Sequence, residues 1–259
     1  MERKFTLYDE YSYLCTSDRS EMLPWIDRST RLIAHNKIQS RVSIFSQPHW
    51  RRAAVPLCFY SLCTMLPEKY HGPEKYSGRD VFYRDWLGDI LAAAVGDRQE
   101  DICMLGGHTL WGDFAKMCLI RPEADRIIGV YHEDPNSFYY LEDSLIFDET
   151  ESWVISPYLD DTFLFAGEPE IMQRFYDRLG GEKYMEYCFA QGMNDQRIQY
   201  SGAGICSWYA QTDWELPFTL VEGEGYLNRA DWPSEKARTE QMLFERFSIP
   251  PSQRCSLWG

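Results

Sequence analysis

One short segment of the chain contains the residue types of a nucleophilic hydrolase. Cys103 lies five residues before His108, which follows two glycines, and Asp113 lies five residues after it. In such enzymes an imidazole takes the proton of the nucleophile, and a carboxylate orients the imidazole ring. Members of these triads are usually distant in sequence, however, and no family signature surrounds Cys103. A hydrolase-like enzyme centred on His108 is therefore an alternative hypothesis, beside the simpler one of a histidine in a turn.

Other chemically capable side chains lack the spacing that a metal or cofactor site needs. His132 begins a His-Glu-Asp run, but consecutive side chains on an extended chain point to alternate faces and seldom bind one ion. Cys58 and Cys63 are not followed by a second pair with zinc-ligand spacing. The glycines at 202–204 and 223–225 lack the rest of a phosphate-binding loop. We therefore expect no metal and no cofactor.

Charge is unevenly distributed along the chain, whose formal net charge is −14. Residues 1–79 contain 12 basic and 8 acidic residues, whereas positions 80–259 contain 14 basic and 32 acidic ones. No Lys or Arg occurs between Arg126 and Arg174, a stretch with eleven carboxylates. Clustered carboxylates attract basic partners, and they repel the phosphates of nucleic acids. We expect a basic protein partner and no direct nucleic-acid binding, with solubility alone as the simpler explanation of the charge.

The contact residues for such a partner are expected in the acidic part of the chain, where aromatic side chains accompany carboxylates. Trp and Tyr are enriched at interfaces because they bury a large area at a small cost in entropy. Trp214 beside Asp213 and Glu215, with Tyr226 near Glu222 and Glu224, is the best example of such an aromatic and acidic surface, and local packing of these aromatic residues is the alternative. The predicted partner-binding residues are Asp148, Glu149, Glu151, Asp160, Asp161, Trp153 and Trp214.

The first residues and the cysteines indicate the compartment. Basic residues near the start precede no apolar stretch of the kind found in a secretory signal. No window approaches the roughly 20 apolar residues of a membrane span. Several of the eight cysteines lie in apolar surroundings, as buried free thiols do in a reducing compartment. We expect a cytoplasmic protein that does not associate with a membrane.

Strands are expected to hold these residues in place. Apolar segments at 116–121 and 126–131 flank a four-residue link, which is typical of a β-hairpin. Short apolar segments bounded by acidic or turn residues continue this pattern. They lie at 31–34, 41–45, 138–141, 145–147, 153–155, 162–166, 205–210 and 218–221. Such a series predicts an antiparallel sheet of about 5–7 strands.

Helices are predicted on either side of the strands. The segment 81–95 has a wide apolar face, with a capping Asp before it and a glycine after it. Pro169 suits the first turn of a helix whose apolar stripe ends at Gly180. Two further helices are predicted at 182–191, ended by a glycine, and at 234–247.

Prolines interrupt the first third of the chain, where Pro24 and four others are expected to break any long helix. Residues 1–79 are therefore predicted to form an irregular N-terminal extension or subdomain, and residues 80–259 the main domain. The predicted fold class is α+β, with an antiparallel β-sheet packed against several α-helices in a single large domain.

The order of these elements resembles the SUKH superfamily of immunity proteins and viral counter-defence proteins. The resemblance covers roughly residues 80–190: a capped helix, a strand series, and the Phe-Ala-Gly-Glu-Pro-Glu segment at 165–170 that leads into an apolar-striped helix. It implies a non-enzymatic fold that binds and blocks another protein, often a nuclease or deaminase toxin. An acidic face suits that role, since carboxylates can occupy basic clefts in place of phosphates.

Overall fold

The fold is that of a computed structural model, which describes ten segments of the chain. They are 6–7, 13–36, 41–44, 47–56, 102–108, 113–120, 145–158, 162–196, 212–218 and 231–251. The predicted helix at 81–95 and the predicted strands at 126–131, 138–141 and 205–210 lie outside the described residues.

An eight-stranded antiparallel sheet is the centre of the described structure. In chain order the strands are β1 (Thr6–Leu7), β2 (Tyr13–Thr16), β3 (Ile33–Asn36), β4 (Arg41–Ile44), β5 (Arg51–Pro56), β6 (Ile102–His108), β7 (Asp113–Ile120), β8 (Leu145–Asp148), β9 (Trp153–Tyr158) and β10 (Thr162–Gly167). The spatial order is β1-β2-β7-β6-β8-β9-β10-β5, while β3 and β4 form a separate hairpin. Strands that follow one another along the chain are neighbours in the β8-β9-β10 meander, as the sequence predicts.

Four helices accompany the sheet in the described segments. They are α1 (Arg19–Leu32), α2 (Pro169–Arg178), α3 (Glu182–Gln196) and α4 (Trp232–Phe247). None of these four is both long and apolar enough to cross a membrane. The predicted α+β class, an antiparallel sheet packed against several helices, is confirmed.

The first third of the chain is built into the same sheet. β2 pairs with β7, and β5 pairs with β10 over its whole length, so β1 and β5 are the two edges of the sheet among the described strands. The described parts of residues 1–79, which are predicted as an extension or subdomain, therefore contribute strands to the sheet of the main domain. These strands are β1, β2 and β5, and with them the sheet has eight strands, more than the 5–7 that the sequence predicts.

Helix α1 forms although Pro24 lies inside it. Asp18 caps its first turn, with Oδ1 accepting hydrogen bonds from the backbone N–H of Ser20 at 2.9 Å and from its hydroxyl at 2.7 Å. Met22 and Trp25 belong to a buried stripe that continues to the end of the helix. A proline inside a helix costs about 3 kcal/mol, but burying several large side chains contributes more. The prediction that Pro24 prevents a long helix is therefore wrong.

Helices cover both faces of the sheet. On one face Trp25 of α1 packs edge-on against Phe147 of β8, with ring centroids 5.7 Å apart. On the other face Phe175 of α2 packs against Trp153 and Phe165, with centroid distances of 6.3 and 5.6 Å. The register of β8, β9 and β10 places Phe147 and Phe165 on opposite faces. Every residue of β8 is accordingly buried.

Helix α3 is the central helix on the α2 side. It packs against β5 on one side and α4 on the other, so residues 187–194 are all buried. Pro169 begins α2 as predicted, and Gly180 and Gly181, with φ of 97° and 99°, separate α2 from α3. The predicted end of α3 at Gly192 is wrong, because burial on both sides outweighs the cost of about 1 kcal/mol for a glycine in a helix.

Candidate functional site

The turn between β8 and β9 contains all three described carboxylates among the predicted contact residues. Asp148 is fully buried there. Its Oδ2 accepts a hydrogen bond from Trp153 Nε1 at 2.7 Å. Its Oδ1 accepts from the backbone N–H of Thr150 at 2.9 Å and from the Thr150 hydroxyl. The carboxylate therefore organises the turn from inside the protein.

Glu149 and Glu151 lie on the outside of this turn, where arginines of α1 meet them. Arg31 donates from Nε to Glu151 Oε2 at 2.7 Å and from Nη2 to Oε1, which makes a two-pronged pair. Arg28 Nε lies 3.5 Å from Glu151 Oε1, and Arg28 Nη1 lies 3.7 Å from Glu149 Oε1. The basic N-terminal part of the chain thus compensates these acidic side chains, and the charge imbalance seen along the sequence is reduced at this turn.

The paired Glu151 predicts a pH dependence of stability. The hydrogen bond from Arg31 lowers the pKa of Glu151, and the charge of Arg28 adds to the effect. A carboxylate with a lowered folded-state pKa stabilises the protein above its unfolded pKa of about 4.3, and this stability is lost as the pH falls through the folded value. We expect Glu151→Gln to reduce the free energy of unfolding at neutral pH by less than about 1 kcal/mol.

Thermal unfolding between about pH 3 and pH 7 checks this expectation. The difference in melting temperature between the Glu151→Gln variant and the wild type should become smaller as the pH is lowered. An equal difference in melting temperature at all pH values would contradict the stabilising pair of Arg31 and Glu151.

The remaining predicted contact residues divide into buried ones and ones outside the described chain. Trp153 is fully buried against Phe175, and Trp214 is buried against Phe189, with a centroid distance of 5.6 Å. Both indoles pack in the core, as does the buried Asp148, so these three side chains are not available to a partner. Asp160 and Asp161 lie outside the described residues.

The strands do not assemble the Cys/His/Asp combination. The β6–β7 register places His108 opposite Asp113. Cys103, however, lies five residues earlier on β6 and opposite Leu119, which corresponds to about 16 Å along a strand. Burial raises the pKa of the Cys103 thiol well above its usual value, so it remains protonated. The described part of the chain also has no group of three or more His, Cys, Asp or Glu side chains that could hold a metal ion.

A different group of carboxylates is concentrated around the start of α3. We define the α3 carboxylate surface as Glu182, Glu186, Asp213 and Glu215. Burial raises the pKa of Glu186, and the nearby charges of Glu182 and Glu215 raise it further, while Arg246 lowers it. Asp213 and Glu215 are exposed, and the other two are partly exposed. The four side chains therefore form one acidic region made by two separate segments of the chain.

Two contacts fix this region to the sheet. The backbone of Asp213 donates to the Arg52 carbonyl at 3.1 Å, and Asp213 Oδ2 accepts from the Arg52 N–H at 2.8 Å. Arg51 donates from Nη1 to Glu182 Oε2 at 3.2 Å and from Nη2 to Oε1. The Arg51 guanidinium also lies 5.2 Å from the ring centroid of Tyr176. The segment 212–218 is thus held against the edge strand β5, with Trp214 as its buried anchor.

Sequence reasoning missed Glu182 and Glu186 as site residues because they follow the stretch without Lys or Arg. The available signal was their spacing of four residues on a helix, which places both on one face, together with the carboxylates on either side of Trp214. The proximity of these two segments depends on tertiary contacts with β5.

Comparisons with known proteins identify no relative. No protein-family model matches the chain, and neither does any curated protein or any solved structure. The resemblance to the SUKH superfamily therefore stays a prediction.

Proposed function

We propose that this protein is a non-catalytic module of the inhibitor or immunity type, which binds a basic partner protein through the α3 carboxylate surface. The observation that carries this proposal is the placement of four carboxylates in one region, where Asp213 and Glu215 are exposed and the segment 212–218 is hydrogen-bonded to Arg52 of β5. Like charges brought this close destabilise one another. A cationic partner would relieve that repulsion.

The partial compensation of the surface also supports a cationic partner. Arg51 pairs with Glu182, and Arg246 lies near Glu186, which leaves Asp213 and Glu215 on the exposed side. Carboxylates at the rim of an interface mainly increase the association rate and select partners of opposite charge. Binding should therefore weaken as the salt concentration rises, since exposed charges are screened over about 10 Å at 0.1 M ionic strength.

The partner's chemistry follows from the same features. Carboxylates take the place of phosphates in a cleft lined with Lys and Arg, so a nucleic-acid-processing protein is the partner class that we propose. The turn between β8 and β9 is a weaker candidate for this contact. Its carboxylates are either buried, as for Asp148, or paired with arginines of α1, as for Glu151.

Charge reversal on the α3 carboxylate surface tests the proposal. We expect the Glu186→Lys/Glu215→Lys double variant to lose at least about tenfold in affinity for a protein captured from native lysate by the wild type, which corresponds to about 1.4 kcal/mol. The captured protein is then purified, and its dissociation constants are measured at two salt concentrations.

Glu149→Lys is the matched control because it reverses an exposed carboxylate in the region that the sequence first suggested. Circular dichroism establishes that each variant is folded. The proposal fails if the double variant binds the purified partner as tightly as the wild type, or if Glu149→Lys alone abolishes binding.

For the alternative hydrolase hypothesis, His108 and Asp113 lie opposite one another on β6 and β7. Cys103 does not suit the role of nucleophile, because it lies farther along β6 and burial raises the pKa of its thiol. His108→Ala separates the two functions. It should leave partner binding unchanged if the protein is a binding module.

A further inference from the structure

The contact between α3 and α4 is apolar at one end and polar at the other. Tyr187 of α3 contacts Phe244 and Phe247 of α4, with centroid distances of 6.1 Å to each. Toward the other end of the contact, Gln191 and Glu240 face one another. The helices run antiparallel, since higher positions on α3 contact lower positions on α4.

The polar end contains an incomplete pair of hydrogen bonds. Gln191 is fully buried, and its Nε2 donates to Glu240 Oε1 at 3.2 Å. Its Oε1 is also buried and has no hydrogen-bond partner among the described residues. An unsatisfied buried carbonyl oxygen is costly, because it has given up its bonds to water. The missing interaction is a donor, and a carboxylate cannot supply one.

We propose that Glu240 takes up a proton and, as a carboxylic acid, donates a hydrogen bond to Gln191 Oε1, so that α4 is held more tightly against α3 in mildly acidic solution. A carboxylic acid and a primary amide can each donate one hydrogen bond and accept one. The protonated pair would satisfy both polar atoms of the buried amide. The deprotonated pair satisfies only Nε2.

The charges around Glu240 are compatible with this proton uptake. Burial raises the pKa of Glu240, while the charge of Lys236, one turn earlier on α4, and the hydrogen bond from Gln191 lower it. From α3 the group facing Glu240 is the neutral amide. Glu186 of α3 and Glu215 of the segment 212–218 instead act on each other beside Arg246.

The stability contributed by Glu240 changes with pH in the opposite direction to that contributed by Glu151. A group with a raised folded-state pKa contributes stability that is fully present below its unfolded pKa, about 4.3 for a glutamate, and is lost as the pH rises through the folded value. The contact should therefore loosen between that pH and neutrality.

Selective labelling of glutamine and glutamate side-chain carbons tests the proposal by nuclear magnetic resonance. The Cδ resonance of Gln191 should shift during a pH titration with the same midpoint as the Cδ of Glu240. That midpoint should lie above about 4.3, the pKa of a glutamate in an unfolded chain. Glu245 supplies the matched control substitution, because its Oε1 accepts a hydrogen bond from Gln241 Nε2 at 2.7 Å in an exposed version of the same pair.

Glu240→Gln provides a second measurement, since its amide can donate to Gln191 Oε1 at every pH. The variant should melt about 2 °C or more above the wild type at neutral pH, and this gain should vanish in acid. Glu245→Gln should show neither effect. The proposal is overturned if Gln191 Cδ does not respond at the midpoint of Glu240, or if Glu240 titrates no higher than about 4.3.

Discussion

Replacing Asp148 with alanine is expected to destabilise the protein by about 2–4 kcal/mol. The substitution removes the acceptor of Trp153 Nε1, which is buried and bonded at 2.7 Å. It also removes the acceptor that shapes the turn through the backbone N–H of Thr150. A buried donor left without a partner costs about 1–3 kcal/mol, and water cannot reach the indole to replace the carboxylate.

The neighbouring Glu149 offers a matched control, because it is exposed and its nearest described cation is 3.7 Å away. Glu149→Ala should change the free energy of unfolding by no more than about 0.5 kcal/mol. Urea unfolding followed by circular dichroism measures both variants. Similar losses of unfolding free energy for the two alanine variants would contradict the buried role of Asp148. The variant Asp148→Lys should lose more stability than either of them, since it buries an unpaired charge.

Phe175→Ala is expected to be at least as harmful, with a loss of about 3–5 kcal/mol. Phe175 is fully buried between α2 and the sheet, where its ring packs against Trp153 and Phe165. Truncation removes most of the side chain and leaves a cavity between rings that are themselves held by strands. The loss should appear as a lower urea midpoint with an unchanged slope.

Leu23→Ala on α1 is the apolar control for this substitution, because Leu23 is 46% exposed. It should cost little, since little apolar surface is lost from the core. Phe175→Leu should fall between the two, because it keeps part of the volume. A loss for Phe175→Ala no larger than that for Leu23→Ala would show that the α2 side of the sheet is not a packed core.

Local signals predicted those elements whose neighbours in space are also neighbours along the chain. The proline and apolar stripe of α2 and the meander of β8, β9 and β10 are of this kind. Helix α1 was missed, because a local breaking signal at Pro24 was outweighed by the burial of Met22 and Trp25. The end of α3 was misplaced for the same reason at Gly192, which is buried by elements distant in sequence.

The candidate site was harder to predict, because its electrostatics depend on long-range contacts. Arg31 and Glu151 are 120 positions apart, and no local pattern shows that they form a pair. Composition correctly indicates an excess of acidic residues, but it does not show which of them are paired with a basic side chain. Contacts of β5 with α3 and with the segment 212–218, together with the packing of Trp214 against Phe189 of α3, bring Glu186 and Glu215 into one region.

The position of β5 at the edge of the sheet has a consequence for folding on the ribosome. Arg51 is paired with Gly167, so this strand must wait for more than a hundred further residues to be synthesised before its partner is available. Such distant pairing closes a large loop and is intrinsically slow. Until then β5 is an unpaired strand able to associate with other nascent chains, so expression at lower temperature, or with chaperones present, should raise the soluble yield.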